Sequence, residues 1–206
     1  MNPDEKNIVQ TKKLFSLIFP HLRLNRSLRI LVITNAVLAF IIGLFAPFYA
    51  VFIQHIGGNV AFAGLAWGLS SLVGGILIFL FSNWQLKIKE QELLIALGYV
   101  LRGVVFLSYA FMTNMTQLIA TQILWGIATA IGTPAFDSVY TAHTSKENSI
   151  LEWGQWEGVS AIVTGIAAFV GGLLIQGFGY EIIFMTMAVI SFTLGGYIWR
   201  LPREVL

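Results

Sequence analysis

Residues 152–200 read EWGQWEGVSAIVTGIAAFVGGLLIQGFGYEIIFMTMAVISFTLGGYIWR. Two apolar runs, 152–176 and 182–200, flank a Gly-Phe-Gly sequence at 177–179, a pattern typical of a tight turn between regular elements. A helix needs about 20 predominantly apolar residues to cross a bilayer, and each run is close to or above that length. The segment therefore predicts two membrane-crossing helices joined by a short turn.

Four further apolar runs precede this hairpin, at 29–53, 60–82, 93–112 and 116–141. Apolar residues form 57% of the chain and charged residues 11%, whereas a soluble domain carries about 25% charged residues. We expect an all-α polytopic membrane protein with six transmembrane helices in one bundle. The transmembrane domain is predicted to be 29–200, with a tail at 1–28 and a cytoplasmic C-terminus at 201–206.

The basic residues are unevenly distributed between the predicted loops. Eleven of the twelve lie in the N-terminal tail, the second and fourth loops or the C-terminus, and the other three loops carry none. This asymmetry predicts that both termini are cytoplasmic, in a bacterial or archaeal inner (plasma) membrane. We therefore expect the excess of basic residues to face anionic lipid headgroups and not nucleic acid. Residues 11–22 are interpreted either as an interfacial segment on the inner leaflet or as a flexible tail.

Two of the runs carry small residues at alternating steps of three and four. In a helix, residues at these steps share one face, and small residues on such a face let a second helix approach closely in lipid. The two stripes either pack inside the six-helix bundle or contact another chain. They consist of Ala61, Gly64, Gly68, Ser71 and Gly75 in the second run, and of Gly158, Ala161, Gly165, Ala168 and Gly172 in the fifth.

Charged side chains occur within three of the predicted spans, at Arg102, Asp137 and Glu157. An isolated arginine at that depth costs at least about 2.5 kcal/mol on insertion scales, so a partner is expected. We predict that Arg102 pairs with Asp137 or Glu157. Three interpretations stay open: one carboxylate of the cluster titrates, Arg102 attracts an anionic substrate, or the cluster is a fixed ion pair that holds three helices together.

The fourth run also has a semi-polar face at helical spacing, formed by Gln122, Gly126, Thr129, Thr133, Asp137 and Tyr140. The first run has a weaker one, formed by Asn35, Ala39, Ile42, Ala46 and Tyr49, and a kink is predicted at Pro47 because proline cannot donate a backbone hydrogen bond. Trp67 and Trp125 either pack in apolar surroundings or face a wet cavity. The candidate residues for a substrate cavity are Asn35, Gln122, Thr129, Thr133 and Tyr140.

The sequence contains no motif that predicts catalysis or a cofactor. The three histidines, at 21, 55 and 143, are scattered, and H-E-x-x-H, G-x-S-x-G, P-loop and EF-hand patterns are missing. There are no cysteines. We expect neither an enzyme nor a metal or cofactor site.

Two segments resemble the major facilitator superfamily. LWGIATAIGTPAFDSVYTAH at 124–143 is similar to that family's fourth helix, with two glycines six residues apart and then a proline. GIAAFVGGLLIQGFGYEIIF at 165–184 is similar to its fifth helix, the following turn and the start of its sixth helix. The loop SNWQLKIKEQE at 82–92 departs from the family's usual G-x-x-x-D-R-x-G-R-R. In order, the resemblance covers the N-terminal half of a twelve-helix protein.

The resemblance implies a secondary transporter, in which two six-helix halves share one orientation about an axis along the membrane normal. Helices two and five of one half meet helices five and two of the other, and helices one and four line the cavity. The expected partners are a second copy of this chain, the bilayer and a small-molecule substrate. The alternative is a half-transporter without transport of its own, either the truncated N-terminal half of a twelve-helix chain or a structural membrane protein.

Overall fold

The computed structural model describes residues 24–206, and all regular structure in this range is helical. The predicted segment at 11–22 and most of the predicted tail lie outside the described residues. The helices are α1 (Arg26–Phe45), α2 (Tyr49–His55), α3 (Val60–Gln85), α4 (Gln91–Ala110), α5 (Met115–His143) and α6 (Ser149–Arg200), and α1 is joined to α2 by a turn of 3₁₀ helix at Ala46–Phe48.

Five of the described helical segments are long and apolar enough to cross a membrane, with α1 and α2 counted together. This agrees with the predicted all-α membrane class. The fifth segment, α6, has 52 residues and would extend about 78 Å at 1.5 Å per residue, more than twice the roughly 30 Å hydrocarbon core. Gly179 interrupts it with φ 78° and ψ 171°, a conformation open to glycine and strained for other residues.

The two arms of α6 run in opposite directions along α1. In the first arm, 149–178, the Trp156 Nε1 donates to Asn35 Oδ1 at 3.0 Å, and Gly171 meets the backbone of Leu44. Residue numbers therefore increase in the same direction in both helices. We use the names first arm for 149–178 and second arm for 180–200 from here on.

In the second arm the order is reversed. The ring of Phe184 packs on that of Phe45, with centroids 4.7 Å apart, and beyond its end Ser27 donates to the carbonyl of Val205 at 2.6 Å. The second arm is therefore antiparallel to α1. The predicted Gly-Phe-Gly turn is where the chain changes direction.

The described ends of the chain lie at the same end of the bundle. Arg203 forms ion pairs at 3.6 Å with Glu90 and with Glu92, which precede and begin α4. The Asn25 side chain donates to the carbonyl of His143 at the end of α5. The loops predicted to carry basic residues thus share one end of the molecule with both described ends of the chain.

Close backbone approaches between helices occur at glycines. A Cβ on Gly171 would overlap the carbonyl oxygen of Leu44 in α1, and a Cβ on Gly98 of α4 would lie 2.7 Å from the Cα of Gly132 in α5. Small residues allow such contact in lipid, where van der Waals packing drives helix association. Gly171 therefore determines how closely the first arm packs against α1, and Gly98 and Gly132 determine how closely α4 packs against α5.

Candidate functional site

A cavity of about 330 Å³ lies between α1, α2, α3, α4, α5 and the second arm of α6, beside the 3₁₀ turn that follows α1. The predicted kink at Pro47 is confirmed by that turn, and it places Ala46 and Tyr49 in the cavity wall. Much of the remaining wall is aromatic, formed by Phe45, Trp67, Phe106 and Trp125. Both tryptophans that the sequence left open between packing and a cavity are cavity-lining residues.

The polar groups of the wall are uncharged. Gln122 is buried and its Nε2 donates to the Tyr109 hydroxyl at 2.7 Å, while Ser70 donates to the backbone of Trp67 at 2.8 Å. The Tyr49 side chain is only 9% exposed, and its hydroxyl has no hydrogen-bond partner among the described residues. A buried hydroxyl without a partner is uncommon in folded proteins, so the Tyr49 hydroxyl is a candidate to bond a molecule in the cavity.

The five candidate cavity residues separate into two groups. Gln122 and Thr129 line the cavity. Asn35 accepts the hydrogen bond from Trp156, Thr133 lies on the exposed side of α5, and Tyr140 is fully buried. Tyr140 donates to the backbone of Glu152 and packs on Trp153 and Trp156, because the first arm covers this end of α5.

Arg102 is 8% exposed and its guanidinium donates to the Thr133 hydroxyl at 3.3 Å. The ion pairs between the described residues involve Arg203, so the predicted pairing of Arg102 with Asp137 or Glu157 is not formed in this structure. Asp137 instead has Glu157 as its charged neighbour. Glu157, and not Arg102, therefore lies within electrostatic range of Asp137, and the guanidinium donates to Thr133 one helical turn earlier on α5.

Replacing Arg102 by methionine is expected to leave the melting temperature of the purified protein unchanged or to raise it. Among the described residues, the guanidinium makes one long hydrogen bond, to Thr133. Replacing buried charged groups by apolar side chains of similar size is often neutral or stabilising. Thermal unfolding in detergent measures this. The matched variant carries Asp137→Asn as well; a large loss in Arg102→Met that Asp137→Asn reverses would instead establish an ion pair.

The two stripes form what we call the small-residue face. It consists of Gly64, Gly68, Ser71 and Gly75 of α3 together with Gly158, Ala161, Gly165, Ala168 and Gly172 of the first arm. Within residues 24–206, nothing lies within 4 Å of a Cβ built on Gly64, Gly68, Gly75, Gly158 or Gly165. At these five positions the small residues do not pack against other described parts of the bundle. Of the glycines of this face, only Gly172 approaches another described helix, where a Cβ would lie 3.0 Å from Phe48.

The helices that carry this face are the least buried of the candidate spans. Within the most apolar 18-residue segment of each span, the buried share is 17% in α3 and 11% in α6. It is 44% to 56% in the other three spans. Ser71 and Gly75 belong both to the small-residue face and to the cavity wall. The cavity is therefore bounded on one side by the uncovered surface.

Tyr109 is a cavity residue that the sequence did not indicate. It lies on α4, the third predicted span, which the resemblance does not place at the cavity, and no polar pattern surrounds it in the chain. Its burial follows from packing against Phe45, Phe52 and Phe184. Tyr49 stands at the end of the weak face predicted for the first run, and Ile42, Ala46 and Tyr49 of that face do line the cavity.

Comparison with known proteins gives one family and two relatives. The family model described as Major Facilitator Superfamily matches residues 31–205. A protein of Methanocaldococcus jannaschii described as an uncharacterised MFS-type transporter is 26% identical over 165 residues, which cover 79% of this chain and 42% of that protein. A Bacillus subtilis protein with the same description is 23% identical over 152 residues, covering 72% of this chain and 90% of that protein.

Proposed function

The chain belongs to the major facilitator superfamily, and from this premise we propose that it is a secondary transporter of a small uncharged solute, working as a parallel homodimer. The observation that carries the proposal is the position of the cavity. It holds the polar residues Gln122 and Thr129 and reaches the uncovered small-residue face through Ser71 and Gly75. A second protomer on that face would close the cavity on its open side.

Each protomer is proposed to cross the membrane six times, with the termini in the cytoplasm of a bacterium or archaeon. The non-helical Gly179 and the opposite directions of the two arms support the division of α6 into two crossings. The basic loops and both described ends of the chain lie at one end of the bundle, which is the distribution that the positive-inside rule assigns to the cytoplasm. Relatives from a bacterium and an archaeon fit this location.

The second copy is proposed to place its first arm against α3 and its α3 against the first arm. In lipid, helices associate through close packing of small residues, and Gly64 and Gly165 leave room for it. Because the halves of this family are related by an axis along the membrane normal, two copies with the same orientation can reproduce the arrangement. The Bacillus relative, matched over 90% of its length, is described as a transporter although it is little longer than the matched segment.

Alternating access would then follow from rocking of one protomer against the other around the shared cavity. Asp137 and Glu157 are the proposed coupling residues, because two neighbouring carboxylates readily share one proton. Glu157 adjoins Gly158 of the small-residue face and is exposed. Arg102 is the proposed counter-charge during the cycle, since its partner Thr133 precedes Asp137 by one turn on α5.

Uptake into proteoliposomes tests this function. With a panel of neutral solutes, the wild-type protein is expected to accumulate at least one when a proton gradient is imposed, and Asp137→Asn is expected to reduce that uptake to the level of empty vesicles. Exchange of labelled for unlabelled solute without a gradient should persist in Asp137→Asn, because rocking itself needs no net proton movement.

Glu147→Gln is the control, since Glu147 is an exposed acid in the loop between α5 and α6 and should transport like the wild type. The proposal would be wrong if the reconstituted protein moved none of the solutes in either assay. Equal loss of uptake in Asp137→Asn and Glu147→Gln would remove Asp137 from the coupling role.

A further inference from the structure

The wall of the cavity determines which charge a ligand can carry. Among the described residues that line it, none is acidic, basic or a histidine. An ion that enters such a site loses its hydration without gaining a counter-charge, and an unpaired buried charge is strongly disfavoured. The cavity therefore selects against anions and cations and in favour of an uncharged solute.

The hydrogen-bonding groups determine which polar atom the ligand presents. The Tyr49 hydroxyl has a proton to donate and no acceptor among the described residues. The Tyr109 hydroxyl accepts from Gln122 at 2.7 Å, which leaves its own proton for a further bond. Two phenolic donors without acceptors in one cavity match a ligand that brings an oxygen or nitrogen acceptor.

The aromatic residues determine the shape. The ring of Tyr49 meets that of Trp67 at 5.9 Å, and Phe106 meets Trp125 at 5.8 Å, so rings line the cavity on α2, α3, α4 and α5. Flat apolar molecules gain most from such walls through stacking and edge contacts. A volume of about 330 Å³ lies at the small end of the roughly 300–1,000 Å³ range of ligand pockets.

We propose that this cavity binds a small, flat, uncharged aromatic solute whose acceptor atom receives the Tyr49 hydroxyl proton, with Tyr109 and Gln122 as the second polar contact. This inference rests on the proposed function, because it names the substrate class of the same cavity. It also makes a claim about binding alone, which can be measured without transport.

Four compounds that share a benzene ring separate the contributions of the acceptor atom and of charge to binding: acetophenone, ethylbenzene, benzoate and benzylamine. The protein is labelled with fluorotryptophan and held in lipid nanodiscs, and binding is followed by the fluorine NMR signals of Trp67 and Trp125. A shift that saturates with concentration distinguishes binding in the cavity from partition of the compound into lipid. Trp67→Phe and Trp125→Phe assign the two signals. Acetophenone is expected to shift both signals saturably and to bind most tightly.

Tyr49→Phe should lower the affinity for acetophenone about three- to tenfold, which is the equivalent of one net hydrogen bond. It should leave the affinity for ethylbenzene unchanged. Benzoate and benzylamine should bind on the order of a hundredfold more weakly than acetophenone, as expected for charge in an apolar membrane site. Tyr99→Phe is the matched control, because its hydroxyl is also buried but lies beside Thr34 and Asn35, away from the cavity. It should change neither affinity.

Three results would overturn the inference: tighter binding of benzoate or benzylamine than of acetophenone, equal acetophenone affinity in Tyr49→Phe and the wild type, or no shift with any of the four compounds. Selective acetophenone binding together with inactive proteoliposomes would support the ligand class and refute the transport function. Transport of a neutral solute from the panel without acetophenone binding would support the transport function and refute the ligand class.

Discussion

Gly165→Leu is expected to separate the assembly into single copies and to abolish transport while the protomer stays folded. Within residues 24–206, nothing lies within 4 Å of a Cβ at Gly165, so a leucine there has space in the isolated protomer. Between the first arm and α3 of a second copy, the same side chain would hold the two helices apart. Their backbones could then no longer approach closely, and most of the packing that drives association in lipid would be lost. Cross-linking and native mass measurement report the assembly state.

Gly196→Leu is the matched control for this prediction. Gly196 lies on the second arm, is likewise open within the described residues, and does not belong to the small-residue face. This variant should assemble and transport like the wild type. If Gly165→Leu and Gly196→Leu both remained assembled and active, the first arm would not be a contact between copies.

Gly171→Ala is expected to destabilise the protomer itself. A helical glycine-to-alanine change normally gains up to about 1 kcal/mol. At Gly171, however, the added Cβ would overlap the Leu44 carbonyl oxygen, and backbone atoms cannot move aside as a flexible side chain can. Overpacking costs typically 1–3 kcal/mol, and a clash with backbone belongs at or above the upper end, so the net effect should be a loss of about 2 kcal/mol or more.

Thermal unfolding in detergent, followed by circular dichroism, measures this change. Gly154→Ala is the control, because Gly154 lies on the same arm, outside the small-residue face, and its Cβ meets no described atom; this variant should keep or slightly raise the melting temperature. A Gly171→Ala protein as stable as Gly154→Ala would contradict the close packing of α1 on the first arm.

Much of the fold follows from hydropathy and from a few special residues. Pro47 predicted the break after α1, and the glycines at 177 and 179 predicted the reversal within α6. The helix limits were less accurate, because hydropathy does not register capping. Asn25, Asn59 and Asn114 each accept a hydrogen bond from a backbone N–H in the first turn of the helix that follows, and α1 accordingly begins at Arg26, three residues before the apolar run.

The site was predictable only in part. The helical spacing on α5 identified Gln122 and Thr129, but the same stripe ends at Tyr140, which the first arm covers. Tyr109 comes from a helix without a polar face, and only the packing of α4 against α5 brings it to Gln122. Which residues of a stripe face a cavity depends on neighbouring helices, and the spacing within one helix does not contain that information.

The stripes of α3 and the first arm illustrate the same limit. Their spacing was compatible with packing inside the bundle or against a second chain, and nothing in the sequence separates the two. Of the members of these stripes that are glycines, only Gly172 approaches another described helix of the protomer. The central claim of this account is that a second copy of the chain covers this surface.

Native mass measurement of the complex, extracted with its surrounding lipid and without detergent, tests this claim most directly. The account predicts the mass of two copies of the chain for the wild type and for Gly196→Leu, and of one copy for Gly165→Leu. A wild-type complex that contains a single copy of the chain in native lipid would contradict it.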